Sequence, residues 1–231
     1  EKSTFKLLYG HAFRAPSYVE RFTINNPAYV GTPDLEPETI DTVEGSVVGT
    51  WFGMNWDLGV FYSKYKEIIV LGEKPSPTLP APYVNRDEAT AQGVEVALGR
   101  QLTRTLSAQV NYTYQNLENE ETDSPLPGVS EHQANAGVQW EVFARTFVNA
   151  NLYWCSERER ERTDPRAALA GYELVTLALL LQDIGTEGLE LQLKVSNLLD
   201  EEYADPSPEN TIYDDFPRPG TTALLELRYS F

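Results

Sequence analysis

The residues best placed to do chemistry are two histidines with neighbouring hydroxyls and carboxylates. His11 precedes Ser17 and Glu20, and His132 follows Ser130 and Glu131. A hydroxyl, an imidazole and a carboxylate are the parts of an activated nucleophile, so hydrolysis is the chemistry to weigh. Each histidine reads more simply as a polar residue at the rim or in the lumen of a sheet. There is no glycine-rich phosphate loop, no G-x-S-x-G elbow and no H-E-x-x-H pair. Cys155, the single cysteine, can form neither an internal disulfide nor a cysteine metal site, and beside Trp154 it reads as a small hydrophobe. The chain is therefore expected not to be an enzyme and to carry no metal or cofactor.

Binding chemistry has more candidates. The run Glu157-Arg158-Glu159-Arg160-Glu161-Arg162 changes sign at every residue. On extended backbone that puts acids on one side and bases on the other. It reads as a solvated hairpin extension, with contact from its arginines to an anionic chelate as the sharper reading. Tyr18, Phe22, Tyr29, Tyr83 and Tyr213 could line a vestibule for a flat ligand, or pin loops to one another.

The elements that must position these residues are strands. From Thr221 to Phe231, one parity holds Ala223, Leu225, Leu227, Tyr229 and Phe231, and the other, mostly polar, holds Thr222, Leu224, Glu226, Arg228 and Ser230. The same period of two recurs upstream, as in Leu189, Leu191, Leu193 and Val195 against Glu190, Gln192, Lys194 and Ser196. Ten strands are expected, near 2–13, 41–52, 55–70, 90–101, 104–117, 132–143, 146–156, 171–182, 187–199 and 220–231. Leu174 to Leu181 is apolar on both parities and is read as a strand from its neighbours.

Connections alternate between tight turns and long links, the latter near 14–40, 71–89, 118–131, 157–170 and 200–219. A membrane β-meander keeps every second connection short because one rim carries turns and the other carries loops. No apolar run is long enough for a membrane helix. Trp51, Trp56, Trp140 and Phe143 gather at the short-turn rim, and Tyr9, Phe13, Tyr114 and Trp154 at the other, as two interfacial belts would. The net charge of −17 excludes a general nucleic-acid binder. Nearly all of that charge falls in the long links, where it reads as a solvated rim, or more sharply as a surface for cations.

In this setting several phrases resemble the β-barrel of TonB-dependent outer-membrane receptors. They are Tyr9-Gly10-His11-Ala12-Phe13-Arg14-Ala15-Pro16-Ser17, Leu35-Glu36-Pro37-Glu38 with Glu44-Gly45, and Asn85 with Gly93-Val94-Glu95. Ser196-Asn197-Leu198-Leu199-Asp200-Glu201-Glu202-Tyr203, Pro217-Arg218-Pro219-Gly220 and Tyr229-Ser230-Phe231 complete the set. One departure is Thr221, where the family usually has arginine.

The resemblance implies an all-β, antiparallel transmembrane β-barrel meander, with residues 1–231 as the C-terminal portion of a 22-stranded barrel. The plug domain and the first twelve strands would lie outside this chain. Glu1-Lys2-Ser3-Thr4-Phe5 shows no signal segment, which suggests a mature chain or a piece of a longer one. The implied function is uptake of a scarce nutrient, such as an iron–siderophore chelate or cobalamin, across the outer membrane of a Gram-negative cell. The implied partners are outer-membrane lipid, the plug and remaining strands, the TonB complex acting through the plug, the barrel assembly machinery and a small nutrient chelate. Ligand-binding candidates on the outer loops are Arg14, Tyr18, Tyr83, Asn85 and Tyr213. Leu225, Leu227, Tyr229 and Phe231 resemble the assembly signal. The alternatives are a complete ten-stranded pore or adhesin, or an outer-membrane hydrolase.

Overall fold

Period-two alternation becomes ten long antiparallel strands, each paired to the next in sequence. They are β1 (Lys2–Arg14), β2 (Glu38–Trp51), β3 (Met54–Lys66), β4 (Ala89–Gln101) and β5 (Leu106–Asn119). Then follow β6 (His132–Phe143), β7 (Thr146–Cys155), β8 (Tyr172–Leu181), β9 (Leu189–Ser196) and β10 (Thr222–Tyr229). This computed structural model describes residues 2–86, 88–162, 164–207 and 214–231. All ten expected strands form, with ends shifted by a few residues.

Register sorts the side chains onto two faces, because residues directly opposite in a ladder share a face. One row runs Phe5, Val47, Leu58, Val96, Tyr112, Ala134 and Trp154 across β1 to β7. The next row runs Lys6, Ser46, Gly59, Glu95, Thr113 and Gln133. At the other edge Leu193 faces Leu225 and Leu191 faces Leu227, while Gln192 faces Glu226. A hollow of roughly 590 Å³ lies on the polar face among Glu44, Ser46, Asp57, Gly59, Phe61 and Glu95. Further hollows fall on the same face, among Gln101, Gln109, Gln139 and Asn151 and among Thr4, Thr50 and Asn55, which makes it the concave side and the apolar face the convex one.

The convex face has nothing to cover it. Phe5, Leu7, Leu225 and Leu227 are each at least 66% exposed. The few buried apolar side chains, Leu35, Ile69, Ala81, Ala89, Ala91, Cys155 and Leu169, all lie toward the looped end. A continuous apolar face of this kind requires an apolar solvent rather than an interior.

The ends differ as the connections do. Trp51 and Met54 pair across Phe52-Gly53, both with positive φ (46° and 72°), the type I′ geometry of a two-residue hairpin. The turns at 102–105, 144–145 and 182–188 lie at this same rim. Loops 15–37, 67–88, 120–131, 156–171 and 197–221 leave from the opposite rim, where Arg14 pairs with Glu38 and Tyr65 with Ala89. Trp51, Trp56 and Trp140 stand near the turns, as the aromatic pattern predicts.

Two readings of the sequence are corrected. Residues 55–70 do not form one strand: Glu67 is left-handed (φ 57°), and Ile69–Leu71 turns away to pair with 83–85. Loop 15–37 also carries an element that sequence reasoning did not name: Ser17 caps a one-turn helix, Tyr18–Phe22, through a reciprocal capping box with Glu20. The closed ten-stranded alternative does not form: among the described residues β1 pairs only with β2, and β10 only with β9. The wall is an open sheet with two free edges.

Candidate functional site

The looped rim is organised by two polar clamps, and the phrases singled out in the sequence build both. In the first, the Arg14 guanidinium forks between two carboxylates. Its Nε and Nη2 donate to Glu38 at 2.6 and 2.7 Å, and its Nη1 and Nη2 donate to Glu20 at 3.0 Å. Glu38 also accepts from the Ile69 amide at 2.8 Å. Asn85 completes the clamp from 49 residues away. Its Oδ1 accepts from the Glu36 amide at 2.7 Å, and its Nδ2 donates to the Glu36 and Glu67 carbonyls at 2.9 and 2.8 Å. A small sheet lies above: Tyr29–Val30 runs parallel to Ala81–Pro82, and Ile69–Leu71 runs antiparallel to Tyr83–Asn85. Tyr83 meets Tyr29 edge-on, with ring centroids 5.6 Å apart. Loops 15–37 and 67–88 therefore form one body.

The second clamp joins loops 120–131, 156–171 and 197–221, and the alternating run is its core. The run does place acids and bases on opposite sides. Glu157, Glu159 and Glu161 are exposed, while Arg158 is buried and Arg160 half-buried. The solvated-hairpin expectation therefore fails for Arg158 and Arg160, while Arg162 is exposed. The Arg158 backbone bridges Ser130 and Leu169. Its Nη2 donates to the Ala204 carbonyl at 2.8 Å, and its guanidinium lies 5.1 Å from the centre of the Tyr172 ring. Arg160 takes Asp215 in a two-point grip at 2.8 and 2.6 Å. Arg166 holds Asp164 and reaches the Ser207 hydroxyl at 2.9 Å. Arg218 pairs with Asp205.

The N-L-L-D phrase seats the base of the same loop. Asn197 and Asp200 are both left-handed (φ 51° and 55°), a conformation their short side chains tolerate. Asn197 binds Glu201 in both directions. Thr221, the departure from the family pattern, donates its hydroxyl to the Asn197 carbonyl at 2.7 Å and its amide to Asp200 at 2.8 Å. A Cβ at Gly220 would meet the Asp200 carboxylate, so a larger residue there would push that side chain from its bonds to Thr221.

Hydrogen bonds from Arg14, Arg166 and Arg160 hold the carboxyls of Glu20, Asp164 and Asp215, respectively, down at about 2. Each native value lies below the ordinary range near 4, so each pair adds stability above about pH 4 and loses it as pH falls toward 2. Hydrogen exchange, corrected for intrinsic rates, should show loops 15–37, 156–171 and 197–221 losing protection between pH 4 and 2. The wall strands should stay protected. Simultaneous loss in loops and wall would refute this separation.

The candidate ligand residues are placed as follows. Arg14 and Asn85 are brought together in the first clamp, where most of their hydrogen-bonding capacity is engaged. Tyr83 belongs to the small sheet of the same body. Tyr18 stands apart, 78% exposed and packed on Phe22. Tyr213 lies outside the described residues. Neither histidine meets a serine nucleophile: His11 Nδ1 lies 2.8 Å from Asp41, and His132 Nδ1 lies 2.7 Å from the Tyr112 hydroxyl. The Ser17 hydroxyl is engaged by the Glu20 amide. Sequence reasoning missed the lumen set. Glu44, Asp57 and Glu95 line one hollow, and none has an ion-pair partner among the described residues. The signal was available, since all three stand on the polar parity of their strands.

A wall apolar on its convex face, polar on its concave face, with turns at one rim and clamped loops at the other, is the wall of a membrane β-barrel. The sequence matches the family model for "TonB dependent receptor-like, beta-barrel" over residues 2–198. The chain belongs to that family of receptors. Among solved structures, it is similar to the ferric enterobactin receptor PfeA of Pseudomonas aeruginosa, in a mutant crystallised with enterobactin (20% identity, TM-score 0.82). That match covers 100% of this chain and 39% of that one. The siderophore receptor PirA of Acinetobacter baumannii matches at 20% identity and TM-score 0.79, covering 99% and 39%. The copper transporter OprC matches at 18% identity and TM-score 0.80, covering 99% and 37%. The chain thus spans under two-fifths of the structures it resembles.

Proposed function

We propose that residues 1–231 form the C-terminal portion of the barrel of an outer-membrane receptor in a Gram-negative cell. The receptor imports a scarce nutrient in a TonB-dependent manner, with an iron–siderophore chelate or cobalamin as the cargo class. The family match over residues 2–198, on a wall whose convex face needs lipid, carries this reading. The names of its structural neighbours, siderophore and copper receptors, support a metal-bearing cargo. In this reading the clamped loops present the ligand-binding surface. The unpaired carboxylates Glu44, Asp57 and Glu95 face a plug domain in the lumen, and the TonB complex acts on that plug.

The test is uptake by the complete receptor in a host lacking its own siderophore and cobalamin receptors. Labelled ferric siderophore or cobalamin should accumulate only when TonB is present. Uptake that persists without TonB would point to an open pore instead, and accumulation of neither cargo would remove the proposed substrate class.

The same reading assigns the C-terminus to assembly. Leu225, Leu227 and Tyr229 share the convex face, and the Phe231 ring lies 6.4 Å from Tyr229, beyond the last paired residue. An exposed strand edge with alternate side chains as its code suits recognition by strand addition. Deleting Phe231 should sharply reduce assembly of the complete receptor in cells, read as loss of the heat-modifiable form on gels. Strand content in detergent should not change, because Phe231 pairs with no strand. Assembly equal to the parent would remove Phe231 from the signal.

A further inference from the structure

The convex face carries an uneven distribution of charge between its two rims. At the looped rim it includes Asp41, Lys64, Lys66 and Glu173, so acids and cations are mixed there, and Lys64 is held by Glu88 and Glu120. At the turn rim, the strand residues on this face are Trp51, Met54, Trp56, Leu106, Trp140 and their apolar neighbours, with one charge among them. That charge is Arg100, which ends the outward row Val94, Val96 and Leu98 and stands opposite Met54 and Ala108. Arg104 lies in the turn that follows. Both are exposed, and neither has an acidic partner among the described residues. In the neighbouring turns, Phe52 is 73% exposed and Phe143 76% exposed. Arg145, in the same turn as Phe143, pairs with Asp183 at 3.0 Å.

This is the chemistry of a headgroup boundary. The aromatic rings and the arginine stem suit the edge of the hydrocarbon, and the guanidinium reaches past it toward a planar anion. We propose that Arg100 and Arg104 hold the phosphate of an anionic phospholipid in the leaflet that meets the turn rim. Phe52, Leu102, Trp140 and Phe143 seat the surrounding acyl chains. Two cations with no acidic partner among the described residues, one on this face and one in the turn that follows it, favour an anionic over a zwitterionic lipid. The looped rim differs, because acids share this face there: Lys64 is held by Glu88 and Glu120, and Lys66 stands on the same face as Asp41 and Glu173.

The inference rests on the membrane reading above. The test uses the complete receptor, stripped of lipid in detergent, with phosphatidylglycerol or phosphatidylcholine added and bound lipid counted by native mass spectrometry. The parent should retain phosphatidylglycerol preferentially. Arg100→Gln and Arg104→Gln should each reduce that preference about fivefold, the change expected of one surface arginine. Arg100→Lys should keep most of it, and Lys66→Gln at the other rim should keep all of it. Unchanged preference in the double glutamine variant, or equal loss in Lys66→Gln, would overturn the proposal. So would retention of neither lipid by the parent, which would leave the patch to a protein partner. Failure of the parent to insert into vesicles of any composition would instead overturn the membrane reading itself.

Discussion

Leu193→Arg should destabilise the complete barrel in a bilayer by about 2–4 kcal/mol, the cost of a cation on the lipid face near the midplane. Leu193 stands between Leu179 and Leu225 on the convex face. Its neighbour in sequence gives the control. Gln192 lies on the concave face between Leu180 and Glu226, so an arginine there meets water and a carboxylate. Gln192→Arg should cost far less. Refolding titrations into vesicles measure both, and equal penalties would mean that the faces are assigned wrongly.

The second large effect is expected at the loops. Arg160 is 9% exposed and Asp215 is 22% exposed, so removing the cation leaves a carboxylate half out of water. Arg160→Ala should cost about 3 kcal/mol of the energy that docks loop 197–221. That is the low end for breaking a buried pair, because Asp215 keeps some contact with water. Amide exchange across 197–207 and 214–221 should accelerate, with no change in β1 to β5. Replacing both partners, Arg160→Met with Asp215→Leu, should restore most of the protection. An Arg160→Ala variant with parental exchange rates would show that the loop is held by its other contacts.

The wall was legible in the sequence because a half-buried strand in lipid writes its faces as strict alternation. Segments such as Leu189 to Ser196 contain no competing signal. The doubly apolar run at Leu174 to Leu181 also falls into place. Leu174 lies opposite Tyr153, in the tyrosine cluster under loop 156–171, and Leu180 lies opposite Phe147. Alternation failed where backbone conformation outranked it. Ile68, Ile69 and Val70 continue the apolar text of β3, yet left-handed Glu67 swings them into another sheet.

The clamps were illegible for a different reason. Arg14, Glu20 and Glu38, or Asn85 and Glu36, are joined across loops whose path no local pattern encodes. All but Glu20, which was weighed as a hydrolytic carboxylate, appeared in the sequence only as phrases resembling a family, without a reason for those residue types. The structure supplies one: each phrase contributes a side chain that fastens one loop to the next. The alternating run was read correctly as two-sided and wrongly as solvated on the side of Arg158 and Arg160. A short extended segment shows its periodicity, but not which side another loop will cover.

To a trypsin-like protease outside the cell, Glu157 to Arg162 spells three cleavage sites in six residues. The fold withdraws two of them. Arg158 is 7% exposed with its backbone bridged on both sides, and Arg160 is committed to Asp215. Only Arg162 remains presented, flanked by acidic Glu161. A cut there would still leave both halves of the loop anchored, one through Arg160 to Asp215 and the other through Arg166 to Ser207. The loop that looks most vulnerable in the linear text can thus be nicked without being released.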